Sequence, residues 1–154
     1  MTDTKKQYPV SPYRKAGGMV YLPRMFDKMR LHLAGNLPED YHELRGKGMD
    51  GRACSYLRVS YEDVLARVGE GHTDEEIAQW CFKNGRAVND VDILIWNDFM
   101  TKRGARESDP AVTELLEKFK AESGLSDRDD IQTFFDYFEA DEGRDGKKGR
   151  ADCP

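Results

Sequence analysis

Between Arg14 and His32 the sequence gathers side chains whose types and spacing suit the binding of an anion: Arg14, Arg24, Asp27, Lys28 and His32. A guanidinium offers a planar fork to a carboxylate or phosphate, and an ammonium adds a compact point charge. Arg24 and Lys28 stand four residues apart, so on one helix they are neighbours and repel unless an anion or carboxylate lies between them. Asp27, three residues from both Arg24 and Arg30, can pair with either, and His32 titrates near neutrality. Two arrangements satisfy this spacing. In one, Arg24, Lys28 and the arriving Arg14 line a pocket for a small carboxylate or phosphate, with Asp27 and His32 as polar partners. In the other, acidic residues of a later helix neutralise the same cations inside the fold.

Other chemistries lack their residues. Gly17-Gly18 is not followed by the G-K-[ST] of a phosphate loop and reads as a turn that folds the preceding arm across the first helix. His32, His42 and His72 have neither H-x-x-x-H spacing nor a nearby cysteine, so no metal site is specified. No G-x-S-x-G or Cys–His arrangement marks a nucleophile. Cys54 and Cys81 read as small core residues, and three cysteines without a C-x-x-C pair (Cys153 is the third) fit a reducing compartment. No catalytic residue and no cofactor are assigned. Trp96 and Asn97 complete the candidates, as a core anchor with its polar neighbour or as the wall of a small-molecule pocket.

Helices must position these groups. Residues 1–15 are polar, contain Pro9 and Pro12, and read as an extended arm ended by Gly17-Gly18. Met19 to Leu22 suits a short strand, but Pro23 fits better as the first residue of a helix, where its missing N–H costs nothing. Leu22, Met25, Phe26, Met29 and Leu33 then recur at helical spacing, with Arg24, Asp27, Lys28 and His32 on the opposite arc among Leu31 and Gly35. Pro38 opens a short helix through Leu44, a glycine-rich loop follows, and Cys54–Val59 reads as a short strand or irregular segment. From Ser60 the pattern is one of capped helices: Ser60 before Tyr61, a Thr73–Glu76 capping box, Asn89 before Asp90, Asp109-Pro110, and Ser126 before a last helix carrying Ile131, Phe134, Phe135 and Phe138. The Asp90 helix is apolar on two sides, with Val91, Leu94, Ile95 and Phe99 on one and Ile93, Trp96 and Met100 nearly opposite. Such a helix is central in the fold or lies at a subunit contact.

These elements amount to an all-α, compact single domain of about six short capped helices over residues 16–142, with an extended N-terminal arm (1–15) and a disordered C-terminal tail (143–154). A chain of 154 residues buries ~70% of its unfolded surface, enough for a core without disulfides or metals. Charged residues make up 34% and mean hydropathy is −0.78, which fits amphipathic helices with solvated outer faces. Residues 1–60 hold 11 Lys/Arg against 6 Asp/Glu, and residues 61–154 hold 13 against 23, giving net charges of +5 and −10. Either the basic part packs against the acidic helices or it forms an anion-binding surface. A pI of 5.3 and no basic run longer than a dipeptide exclude nucleic acid. No apolar run approaches the ~20 residues needed to span a bilayer, and no signal peptide is evident; the expected location is the cytoplasm.

The segment SPYRKAGGMVYLPRMFDKMRLHLAGNL, Ser11 to Leu37, resembles the opening of a bacterial family known as domain of unknown function 5069, whose members read S-P-R, G-G, L-P-R, D-K, R and L-A-G there. The resemblance extends to Thr73-Asp74-Glu75-Glu76-Ile77 with Trp80, to Trp96-Asn97 and to DDIQTFFDYFEADEGR, so it runs from Ser11 to Arg144. It departs over RGKGMDGRACSYLRVSYEDV, where members carry a compact segment with aromatics. The matching residues are Arg14, Gly17, Gly18, Pro23, Arg24, Asp27, Lys28, Arg30, Gly35, Trp80, Trp96, Asn97, Asp130, Phe135 and Asp136. The resemblance implies a small, mostly helical cytosolic protein and brings no reaction with it. The expected function is a non-enzymatic binding or interaction module. In it the Ile93/Trp96/Met100 side of the Asp90 helix packs against the first helix or forms a homo-oligomer contact. The alternative is an enzyme or sensor that binds a small anionic ligand at the first helix.

Overall fold

The computed structural model describes residues 7–145. The chain runs β1 (Lys15–Ala16), β2 (Met19–Val20), α1 (Leu22–Leu33), a 3-10 turn (Glu39–Tyr41), α2 (Gly48–Leu57), α3 (Tyr61–Gly69), α4 (Asp74–Asn84), α5 (Asp90–Lys102), α6 (Pro110–Glu122) and α7 (Phe134–Asp141). The fold is mostly helical, with a single two-stranded hairpin among the described residues. None of these helices is long and apolar enough to cross a membrane. Two compact units divide the chain, residues 1–94 and 95–154, and the boundary lies inside α5.

In the first unit the sequence around the double glycine makes both structures open to it, a strand and then a helix. Lys15 pairs with Val20 and Ala16 with Met19. Gly17 and Gly18 join them with φ of +58° and +80°, as a two-residue hairpin turn requires. A Cβ on Gly17 would lie 2.5 Å from the Phe82 ring, so this position also needs the missing side chain. Tyr21, at φ +76°, then turns the chain into α1, with Pro23 in its first turn. Leu22, Met25, Phe26 and Met29 are fully buried, and α1 packs against α3 and α4. Ser60 caps α3 by accepting from the Asp63 N–H, and Thr73 and Glu76 close the capping box of α4.

α2 corrects the sequence expectation of a loop followed by a strand or irregular segment. Gly48 and Gly51 give it poor helix propensity, yet Asp50, Ala53, Cys54 and Leu57 are buried along one side. Tertiary burial outweighs propensity here. The end of α2 meets the end of α4 closely: Arg86 N–H donates to the Leu57 carbonyl at 2.7 Å. A Cβ on Gly85 would lie 2.1 Å from that same oxygen. The helix anticipated from Pro38 through Leu44 shortens to the 3-10 turn.

In the second unit, Asp109 caps α6 as its sequence indicates. The last helix begins later than Ser126. Thr133 caps α7, in a capping box with Asp136. Residues 125–132 form turns that bury Leu125 and Ile131, which cluster with Ala140 and Tyr137. Phe119 of α6 meets Phe134 and Tyr137 of α7 at ring-centroid distances of 6.0 and 5.8 Å. The described end of the chain stays attached: Asp145 accepts from Arg128, whose guanidinium also grips Asp130 through two bonds of 2.8 Å. Residues 1–6 of the expected arm, and residues 146–154 of the expected tail with Cys153, lie outside the described residues.

Candidate functional site

The arm docks on α1 through Arg24 and Asp27. Asp27 accepts the Val10 N–H at 3.0 Å, and Arg24 donates to the Val10 carbonyl at 3.2 Å. A carboxylate and a guanidinium three residues apart on one helix face therefore clamp both polar groups of a single peptide residue. Arg24 is 2% exposed, and its guanidinium lies 6.0 Å from the Tyr41 ring centroid. The next turn holds Lys28, whose Nζ donates to Asp50 of α2 at 2.9 Å. The Tyr21 hydroxyl donates to the other Asp50 oxygen at 2.6 Å, and the Gly46 N–H reaches Asp50 at 3.2 Å. Asp50 is fully buried and Lys28 nearly so. A buried pair of this kind stands because each charge is also hydrogen-bonded to further partners.

The remaining predicted residues divide. Arg14 is exposed on the arm, unlike the buried Arg24. His32 is half-buried, and its imidazole is lowered from the ordinary value, first by burial and then by the charges of Arg45 and His42. Arg30 pairs with Asp74 of α4 at 2.6 Å. Trp96 is 2% exposed, and Asn97 is half-buried, its carbonyl accepting from the Thr101 hydroxyl at 2.7 Å. Trp96 and Asn97 belong to the second unit. The thiols of Cys54 and Cys81 are buried and pushed up to about 12 and about 11, chiefly by burial, so at neutral pH neither is a thiolate nucleophile. Among the described residues no group of three His, Cys, Asp or Glu side chains is placed to hold a metal ion. A shallow open depression on α2 is lined by Gly48, Arg52, Ser55 and Tyr56, a lining that contains no acid–base pair.

Sequence reasoning missed the partners rather than the cations. Val10 contributes only its backbone, which no side-chain pattern announces. Asp50 sits 22 positions after Lys28, in the segment read as a loop. Tyr21 was visible only as an apolar residue before Pro23, and its positive φ has no signal in a non-glycine residue.

The two sides of α5 part company. Trp96 and Met100 are 2% and 0% exposed. On the other side Val91, Leu94, Ile95 and Phe99 are 60%, 59%, 56% and 40% exposed. Single exposed apolar residues are ordinary, but here four large ones fall within nine positions of one helix. Asp98 and Lys102, ion-paired at 3.8 Å, form its polar edge.

Fold and site together define a small helical protein with an internally satisfied ionic cluster on its first helix and an open apolar face on its fifth. Residues 6–144 match the family model described as Domain of unknown function (DUF5069), and the chain belongs to that family. No curated protein matches it.

Proposed function

We propose that this protein is a non-enzymatic interaction module of the cytoplasm whose docking face is the exposed side of α5. The observation that carries this reading is the outward row of Val91, Leu94, Ile95 and Phe99. Water-exposed apolar surface of this kind is stabilised when a partner covers it. The anion-binding alternative has less support. Arg24 and Asp27 hold Val10, and Lys28 holds Asp50, so their charges and hydrogen-bonding directions serve the fold. The free, un-ionised thiols of Cys54 and Cys81 suit a reducing cytoplasm and offer no nucleophile. The acidic balance of the chain, −5 overall, does not suit a nucleic-acid partner.

Two titrations test the reading. An environment-sensitive apolar dye is expected to bind the protein with enhanced fluorescence, and the Leu94→Asp/Ile95→Asp variant is expected to lose most of that signal without loss of helical circular dichroism. Thermal unfolding in millimolar phosphate, sulfate or citrate is expected to respond equally in the wild type and in Arg24→Lys. A saturable stabilisation by one of these anions that Arg24→Lys removes would overturn the reading in favour of an anionic ligand.

A further inference from the structure

We propose that Arg45, Tyr61, His32 and His42 form a binding site for a phosphate group where the last turn of α1, the segment ahead of α2 and the start of α3 meet. The site is separate from Arg24, Asp27 and Lys28, whose polar groups bond within the chain. It also stands independently of the reading of α5.

Hydrogen bonds and packing fix the segment that carries Arg45. His42 Nε2 meets the Leu37 carbonyl at 2.8 Å, and the Gly46 N–H donates to Asp50 at 3.2 Å. Residue 46 also packs on the Tyr61 ring, where a Cβ would lie 3.2 Å from the ring carbon Cγ. Arg45 is thereby held between His32 of α1 and Tyr61 of α3, and its charge acts on both. Burial first, then Arg45 and His42, hold the His32 imidazole below its ordinary value. Burial pushes the Tyr61 hydroxyl up, and the neighbouring Arg45 guanidinium holds it back.

This group differs from the other charged side chains of the fold. Arg30, Arg86, Arg103, Arg128 and Arg144 each meet a carboxylate at 3.0 Å or less. Among the described residues no carboxylate pairs with Arg45. Its Nε and the Tyr61 hydroxyl oxygen are both buried, and neither has a hydrogen-bond partner among those residues. Asp50 is already taken up by Lys28, Tyr21 and the Gly46 N–H, and Glu43, between His42 and Arg45, is exposed. Buried donors without an acceptor destabilise a fold, and each such group calls for an explanation. An oxyanion supplies the acceptor and offsets the like charges. Donors arriving from three elements suit a tetrahedral phosphate better than a planar carboxylate, and a guanidinium is the strongest single group for holding one.

The experiment titrates the full chain with sodium phosphate at constant ionic strength, chloride being the balancing anion. Binding is followed by the histidine ring signals in NMR and by thermal unfolding. Saturable shifts of the His32 and His42 signals are expected, with a rise in unfolding temperature. The bound dianion is expected to raise the pKa of His32, because it opposes the charges that hold it down. Arg45→Gln is expected to weaken phosphate binding by about tenfold or more, Tyr61→Phe by a smaller factor, and Arg24→Lys not at all. Histidine signals and unfolding that show no saturable response in the wild type overturn the proposal, and so does an Arg45→Gln chain that binds as the wild type does. Circular dichroism checks that Arg45→Gln folds. If it does not, Tyr61→Phe, which keeps the ring against residue 46, decides: phosphate affinity equal to that of the wild type overturns the site. Acetate bound as tightly as phosphate overturns the choice of phosphate.

Discussion

Lys28 and Asp50 show what an ionic pair inside a fold can be for. Each sits where water is excluded, and each charge is offset by the other at 2.9 Å and by further hydrogen bonds to Tyr21 and, for Asp50, the Gly46 N–H. Removing one partner strands the other, which typically costs ~3–5 kcal/mol, whereas removing both charges together costs far less. Lys28→Met is therefore expected to lose that amount in urea unfolding, a large share of the ~5–15 kcal/mol that holds a domain together. Lys28→Met/Asp50→Asn is expected to recover most of it, because Tyr21 and the Gly46 N–H still find an acceptor at position 50. Equal losses in the single and double variants would mean that packing, not charge, dominates there. The clamp of Arg24 and Asp27 on Val10 follows the same logic, with a peptide group in place of an anion.

At the scale of elements, the hairpin and α4 are coupled through one carboxylate. Glu75 accepts the Gly17 N–H at 2.9 Å, and this bond, followed by one from Gln79, holds its carboxyl below the usual range. The unfolded chain then takes up this proton at higher pH than the folded chain does. The stabilisation is complete above the ordinary glutamate range, about 4.3, and disappears as pH falls through the lower folded value. Glu75→Gln is expected to show a smaller loss of stability than the wild type as pH falls from 5 to 3, measured by thermal unfolding at each pH; identical profiles would exclude the coupling. The caps of α3, α4 and α6 were legible because a cap is local chemistry: Ser60, Thr73 and Asp109 each bond a backbone N–H two or three residues on. Ser126 and Thr133 both precede an aspartate by three residues, and the sequence offers no local reason to choose. Burial of Leu125 and Ile131 in the turn segment decides for Thr133. α2 stayed hidden for the complementary reason, since its glycines conceal a helix that only its buried side sustains.

For the molecule as a whole, the division into a basic beginning and an acidic remainder acquires a structural meaning within the first unit. Arg30 meets Asp74 and Gly17 meets Glu75, both acids lying in the later part of the sequence, while Lys28 finds its carboxylate nearer by, in Asp50. The cations of the first helix were legible as a site, and their spacing was informative. What spacing does not contain is whether the counter-charge comes from a ligand or from the chain. The apolar doubling of α5 was equally legible, but the choice of buried side depended on the tertiary packing of Trp96 and Met100. That leaves Val91, Leu94, Ile95 and Phe99 as the exposed apolar side, the side proposed above for docking. The direct test is to replace Ile95 with a photo-crosslinking amino acid and irradiate living cells that make the protein, with the same replacement at the exposed Lys83 as the control. The account predicts a protein adduct from position 95, of twice the chain mass if the partner is a second copy, and little or none from position 83. A position 95 that yields no more adduct than position 83 would contradict it.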